Sequence, residues 1–528
     1  MIESAKKLKG LREHYNCVTR FIENNVLKGL GDKVAIYCEN NSVTYQELLT
    51  KVNQFGNALK GIGVEPENRV LILSYDSPEF IFSFFGSVKM GAIPIPVNTM
   101  MQPDDYEYFL NHSRAKTLIV HEDFWDKLEK NRDRFVFLKE VIVIGETEKS
   151  NSNLIQFNQF INQASAKLEV GITTKEDPAF WLYSSGSTGE PKGVVHLQRN
   201  MENAFEHYAK KILHITENDR TFSASKLFFA YGLGNGMYFP FGAGGSTILL
   251  KDRPKPDKVF ETIVNQKPTI FFGVPTLYGL MINYVEKTGI IPDLSSVRVC
   301  VSAGEALPAT FIQKWKELFN LDILDGIGST EALHIYLSNH LGDIQAGSSG
   351  KLVPGYKAKI VKDGFTSVAT NEIGDLYIKG DSVTSGYWGN IGENQQKFHG
   401  EWMFTGDKYY QDDNGFYWYC GRSDDMLKVG GIWVSPIEIE STLLGHEHVL
   451  EVAVVGVANE HKLVQPKAYI VLKEGIAPTE SLKEELKLYV KHHLAPFKYP
   501  RQIEFILELP KTATGKVQRF KLRVEETV

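Results

Sequence analysis

The chain has 528 residues, 43% hydrophobic and 23% charged, with 45 Gly and 21 Pro. That composition excludes a disordered or collagen-like chain and, at roughly 100–200 residues per domain, predicts several folding units. Its 58 basic and 64 acidic residues leave a formal charge of −6, so no global positive field draws nucleic acid or an anionic bilayer, and a polyanionic ligand has to be held locally.

Cys17, Cys38, Cys300 and Cys420 stand far apart without C-x-x-C spacing, which argues against a zinc knuckle or redox dithiol and for a reducing compartment. The charged stretch from Met1 to Arg12 lacks an apolar core, and nowhere do about 18 apolar residues follow one another. A cytoplasmic protein without a membrane span or nucleic-acid partner is expected.

In chain order, Thr44 and Glu47 form a capping-box pattern, and Leu48, Val52, Phe55 and Leu59 recur at helical spacing. Gly61 and Gly63 then precede the strand-like Val70–Leu73. Short β-branched runs at 118–120, 141–144, 270–272 and 297–301 predict further buried strands, so the first three hundred residues read as α/β layers around a mainly parallel sheet. From about Gly350, Gly/Asp/Asn turns between aromatic-rich runs (375–378, 416–419) predict antiparallel β structure. The last hundred residues predict a small α+β unit, with strands at 452–457 and 468–472 and a helix opened by a Ser481/Glu484 capping box. Its buried stripe is Leu482, Leu486, Tyr489, Val490 and Leu494. The boundary is placed in the turn-rich 421–425, giving domains 1–423 and 424–528.

The segment from Tyr183 to Gly193 packs four hydroxyls on Ser and Thr, three glycines and one lysine into eleven positions behind Phe180-Trp181-Leu182. Glycines admit an anion to the backbone, hydroxyls and N–H groups donate to its oxygens, and Lys192 adds charge, so the loop is suited to phosphate. A flexible linker would share the Gly/Ser content but not the apolar strand before it or Pro-Lys-Gly after it. Pro191 before Lys192 and Gly193 after it do not fit G-x-x-x-x-G-K-[ST], which disfavours the usual P-loop class.

This loop resembles the phosphate-binding signature of the adenylate-forming superfamily of acyl-CoA synthetases, luciferases and peptide-synthetase adenylation domains. Four more stretches resemble that family's motifs in the same order: 326–331 (Gly-Ile-Gly-Ser-Thr-Glu), 402–407 (Trp-Met-Phe-Thr-Gly-Asp), 421–424 (Gly-Arg-Ser-Asp) and 510–516 (Pro-Lys-Thr-Ala-Thr-Gly-Lys). The resemblance implies a large N-terminal domain of layered α/β subdomains plus a β-rich subdomain, and a small, mobile α+β C-terminal domain. It implies ATP, Mg²⁺ and coenzyme A as co-substrates and cofactor. Ser184, Ser187, Thr188 and Lys192 would hold the β- and γ-phosphates, Thr330 would donate to the α-phosphate, and Glu331 would ligate Mg²⁺, although Glu331 could equally cap a helix. Gly304, Glu305, Ala306, Asp325, Gly326 and Ile327 would line the adenine, and Asp407 with Arg422 the ribose. Asp424 matches the hinge.

Lys516 matches the lysine that bridges the acyl carboxylate and the α-phosphate during adenylation, and its basic surroundings by themselves read as a solvated face. After rotation of the small domain, Gly430, Gly431 and Trp433 would approach pantetheine, though paired glycines also suit a β-turn. The chain looks most like the benzoate-CoA ligase branch, which implies an acyl pocket of Phe229, Ala230, Tyr231, Gly328, His334 and Ile335. His334 could instead be structural. Benzoate is the expected acid, with 2-aminobenzoate, hydroxybenzoate or cyclohexanecarboxylate as alternatives. From other classes come a luciferase-type monooxygenase and an inactive nucleotide-binding module. The sequence is also compatible with a homodimer, and with a lysine acetyltransferase and deacetylase acting on Lys516.

Overall fold

The computed structural model describes residues 13–146, 154–184, 190–362, 365–423, 425–429, 432–458, 464–495, 498–511 and 517–524. Its framework is two large sheets. One has nine strands in the order 351–352, 335–338, 323–328, 299–302, 270–273, 220–223, 246–249, 34–38 and 41–44. The interior pairs of that sheet are parallel and the outer ones antiparallel. The other has five strands, Ile93–Pro96, Arg69–Leu73, Thr117–His121, Glu140–Ile144 and Leu154–Gln156, paired parallel throughout. Parallel strands covered by helices on both faces read as continuous apolar runs, which is why 118–120 and 141–144 are legible as strands.

The helix Tyr45–Gly61 begins where the capping box requires: the Thr44 hydroxyl accepts from the Glu47 N–H, and the Glu47 carboxylate accepts from the Thr44 N–H. Leu48, Val52, Phe55 and Leu59 are buried along one stripe, against the helix Pro78–Met90. Close packing there depends on Gly86, where a Cβ would lie 2.9 Å from the Val52 carbonyl oxygen.

From 357 onward the strands turn antiparallel. Lys357–Lys362, Gly374–Lys379, Trp402–Gln411 and Tyr417–Arg422 form the body of a six-stranded sheet. The C-terminal part has Val449–Ala458 antiparallel to Val464–Leu472 and the latter parallel to Gln502–Phe505, with cores of its own drawn from residues 427–522. One expectation is corrected here. The helix Glu480–His493 is capped by Thr479, whose hydroxyl accepts from the Leu482 N–H at 3.2 Å, so Ser481 lies inside the first turn. Its stripe is as expected at Leu482, Leu486 and Val490, which are buried.

Candidate active site

Three adjacent parallel strands, Ile270–Gly273, Val299–Ser302 and Ile323–Gly328, end on the same edge, and each is followed by residues that line one cavity of about 790 Å³: Pro275 and Thr276, Gly304 to Ala306, and Ser329 to Glu331. Such crevices beyond the carboxyl ends of parallel strands are where open α/β sheets hold ligands. Opposite walls come from Ser184, from Phe228 and Phe229, from Asp407 and Arg422, and from C-terminal residues including Lys511 and Val517.

The residues at both ends of the loop expected to hold phosphate are described. Ser184 closes the strand Pro178–Ser184 and is the cross-strand partner of Lys192, which opens Lys192–Leu197. Lys192 Nζ pairs with Glu393 at 2.7 Å and lies 5.4 Å above the Tyr387 ring. Helix Pro103–Ser113 braces both flanks: the Tyr108 hydroxyl donates to the Pro191 carbonyl at 2.9 Å, and His112 Nδ1 lies 2.8 Å from the Tyr183 hydroxyl. Ser187 and Thr188 lie outside the described residues.

The turn that carries Thr330 and Glu331 is fixed from below. His196 Nε2 donates to the Thr330 carbonyl at 2.9 Å, and since a carbonyl only accepts, the proton sits on Nε2. Burial pulls His196 down to about 4, so it stays neutral. Glu331 is buried and accepts from the Tyr387 hydroxyl at 2.8 Å. Burial alone would raise its carboxyl, but the Lys397 ammonium, its own N–H, and the Tyr387 and Ser329 hydroxyls together hold it below the usual carboxylate range. An ionised, hard-oxygen carboxylate lining the cavity suits a cation such as Mg²⁺, which takes one or two protein carboxylates and completes its shell with other oxygen ligands and water.

Asp407 and Arg422 are register partners on adjacent antiparallel strands, and Arg422 Nη1 lies 3.2 Å from Asp407 Oδ1. Burial raises the Asp407 carboxyl against the pull of Arg422 and Lys397. Asp325, Gly326, Ile327 and Gly328 line the cavity with Gly304, Glu305 and Ala306. Glu305 accepts from the Thr276 hydroxyl at 2.8 Å. Asp325 Oδ1 is buried without a hydrogen-bond partner, and burial raises its carboxyl strongly, so the wall carries an unmet polar group.

Of the expected acyl pocket, Phe229 and Gly328 line this cavity, whereas Ala230, Tyr231, His334 and Ile335 do not. They pack behind it. The Tyr231 hydroxyl reaches the Gly273 and Val301 carbonyls at 3.2 Å each, and His334 Nε2 lies 3.0 Å from Asn235 Oδ1 among the rings of Tyr208, Tyr231 and Phe239. Burial holds His334 down to about 3, and its Nδ1 has no partner. Gly328 is where a Cβ would lie 2.4 Å from the His334 carbonyl oxygen, so the two halves of the turn can close only on glycine.

Lys516, Asp424, Gly430 and Gly431 lie outside the described residues, and Trp433 is in the short strand Ile432–Val434. The residues flanking 512–516 are described: Lys511 and Val517 form an antiparallel bridge, and the Gln518 N–H donates to the Pro510 carbonyl at 2.7 Å. Sequence reasoning missed His196, Tyr387, Glu393 and Lys397. His196 sits in an apolar strand that reads as core, and the other three fall in a short polar stretch, 387–397, without a motif of its own.

The family profile described as AMP-binding enzyme matches residues 23–388, and that described as AMP-binding enzyme C-terminal domain matches 438–516. The chain is 46% identical to a benzoate–CoA ligase of Thauera aromatica over 97% of this chain and 96% of that one. Among solved structures it is similar to an anthranilate CoA ligase in complex with anthranoyl-AMP, with a TM-score of 0.93 and 43% identity over 98% of both chains. It is also similar to a benzoate CoA ligase from Burkholderia xenovorans LB400, with a TM-score of 0.87 and 43% identity over 96% of this chain and all of that one.

Proposed function

The chain belongs to the AMP-binding enzyme family, and from that premise we propose that it is a benzoate–CoA ligase. The carboxylate oxygen of benzoate attacks the α-phosphate of ATP, the bond to pyrophosphate breaks and pyrophosphate leaves. The CoA sulfur then bonds to the acyl carbon, the thiol proton passes to solvent, and AMP departs with the electron pair of the broken C–O bond. Joining two anions in the first step requires cations and fixed donors at the α-phosphate.

The observation that carries this reading is that one cavity gathers Ser184, Thr330, Glu331, Asp407, Arg422 and Phe229 beside the chain segments that flank Lys516. Ser184 and Lys192, with Ser187 and Thr188, hold the outer phosphates, and Lys192 exchanges Glu393 for them. Thr330 donates to the α-phosphate, Asp407 accepts from the ribose hydroxyls, and Asp325 Oδ1, which has no hydrogen-bond partner, faces the base. A magnesium ion held by Glu331 would neutralise phosphate charge. Lys516 steadies the α-phosphate during adenylation, and Asp424 is the hinge on which 424–528 turns to bring Gly430, Gly431 and Trp433 to pantetheine. Phe229 and Gly328 close the aryl slot, with Ala230, Tyr231, His334 and Ile335 behind them.

No helix among the described residues is long and apolar enough to cross a membrane, and the four cysteines are buried and unpaired, which supports placing the enzyme in the reducing cytoplasm. Acetylation of Lys516 would remove the charge that adenylation needs and so switch the enzyme off.

The test is isotope exchange between pyrophosphate and ATP, followed by AMP release with CoA, over a panel of benzoate, 2-aminobenzoate, hydroxybenzoates and cyclohexanecarboxylate. Benzoate is expected to support both, without oxygen consumption. The resemblance to the anthranilate ligase makes 2-aminobenzoate the second acid, and a single added group in an apolar pocket is worth only about 1–3 kcal/mol. Exchange with none of these acids would overturn the reading.

A further inference from the structure

The helix Ile391–Lys397 has seven residues and belongs to none of the motifs that mark the site, yet it presents two charges to it, one turn apart. Glu393 in its first turn ties it to Lys192 at the flank of the phosphate loop. Lys397 at its end lines the cavity together with Thr330, Glu331, Asp407 and Arg422.

The surroundings of Lys397 are unusual for a structural lysine. Its Nζ donates to the Thr405 carbonyl at 3.0 Å, and Arg422 Nη1 approaches the same oxygen at 3.5 Å, so two cations converge on one neutral acceptor. An ammonium has three N–H donors and Thr405 takes one. Among the described residues no carboxylate lies within ion-pair distance of Lys397, whereas Lys192 and Arg422 each have one. Burial pulls the Lys397 ammonium below its ordinary value, Glu331 and Asp407 pull it back up, and Arg422 and Lys192 oppose them. Lys397 thus brings N–H donors not taken by Thr405 to a cavity that it lines together with Glu331 and Asp407, the residues assigned to Mg²⁺ and to the ribose. The nucleotide group that lies between a metal-bound polyphosphate and a ribose is the α-phosphate.

We propose that Lys397 is a catalytic cation that touches the nucleotide α-phosphate from the large domain and serves both half-reactions. This rests on the ligase reading above. During adenylation it shares the negative charge that builds on the α-phosphorus oxygens. During thioester formation the electron pair of the breaking C–O bond goes to the phosphate of AMP, and Lys397, carried by the large domain, is still there to receive that charge. Lys516, on the domain that turns, is assigned to the first step alone.

The experiment compares the parent chain with Lys397→Met and Lys397→Arg in three assays: AMP affinity by calorimetry, pyrophosphate exchange with benzoate, and thioester formation from synthetic benzoyl-AMP and CoA. Loss of a charge-assisted contact predicts AMP binding weaker by about tenfold or more in Lys397→Met. Both half-reactions are expected to fall by about 10- to 100-fold, with most of the loss restored by Arg. If Lys397→Met does not fold, as read by its melting curve, Lys397→Gln removes the charge with a polar side chain and gives the same comparison. Unchanged AMP affinity, or a loss confined to the exchange step, would overturn the assignment while leaving the ligase reading intact. A parent chain that exchanges with no acid refutes the ligase reading instead, and the AMP titration still decides whether Lys397 holds a nucleotide phosphate.

Discussion

His334 shows how one buried side chain couples the site to stability. It is 2% exposed, and its imidazole is pushed from 6.5 to about 3 by burial. The unfolded chain takes up a proton near 6.5 that the folded chain refuses until about 3, so the folded state loses stability as pH falls through that window and is unaffected above it. The slope is roughly 1.4 kcal/mol per pH unit once the unfolded imidazole is charged. Asp407 and Asp76, whose carboxyls burial raises, give a slope of opposite sign. Comparing the parent with His334→Gln cancels those shared contributions. The parent is expected to lose more melting temperature than the variant between pH 6.5 and pH 4.5, and parallel curves would show that His334 is not held neutral by its surroundings.

At the scale of elements, local rules were legible where local chemistry decides and misleading where two candidates compete. Thr44 and Glu47 had no rival, and the helix starts there. At the helix Glu480–His493 the sequence pattern favours Ser481 with Glu484 as the capping box, whereas Thr479, with Leu482 three positions on, matches no box. The chain places the cap at Thr479, one position before Glu480, since this leaves Leu482, Leu486 and Val490 on the buried stripe with a full turn behind them. Thr479→Ala is therefore expected to destabilise by about 1 kcal/mol and Ser481→Ala by a few tenths. Equal costs in a denaturant titration would return the cap to Ser481. The same limit explains the site. The phosphate loop, the Gly326–Glu331 turn and Asp407 sit in compact patterns that a sequence displays. Lys397 reaches the cavity from a short polar helix, while His196 and Glu393 act behind it on Thr330 and Lys192, and these contacts come only from which carbonyls and charges the fold brings beside them. The acyl cluster is intermediate: its members were named from resemblance, but their packing behind Phe229 follows from contacts with Asn235, Tyr208 and Phe239 that no local pattern encodes.

The whole molecule sets a further condition, because the cavity is completed by two parts of the chain with separate cores. Residues 427–522 bury their own apolar side chains, while Lys511, Val517 and Arg519 form part of the wall opposite Thr330 and Asp407. Away from the cavity, Lys287 pairs with Glu474, and both are largely exposed. An exposed ion pair is worth about 0–1 kcal/mol, so this contact adds little to the hold between the two parts. The described residues on either side of 512–516 belong to that part of the chain: Lys511 is bridged to Val517, and the Gln518 N–H donates to the Pro510 carbonyl. If Lys516 acts only in the orientation that closes this wall, Lys516→Ala will lose adenylation by about 10²–10³-fold, the scale for one preorganised donor to developing negative charge. Under the proposed turning of the small domain, thioester formation from supplied benzoyl-AMP should proceed near the parent rate. Lys397→Met should impair both. Single-turnover assays of each half-reaction on the two variants separate a cation that leaves from one that stays, and an equal loss in both steps for Lys516→Ala would show that the domain does not withdraw it.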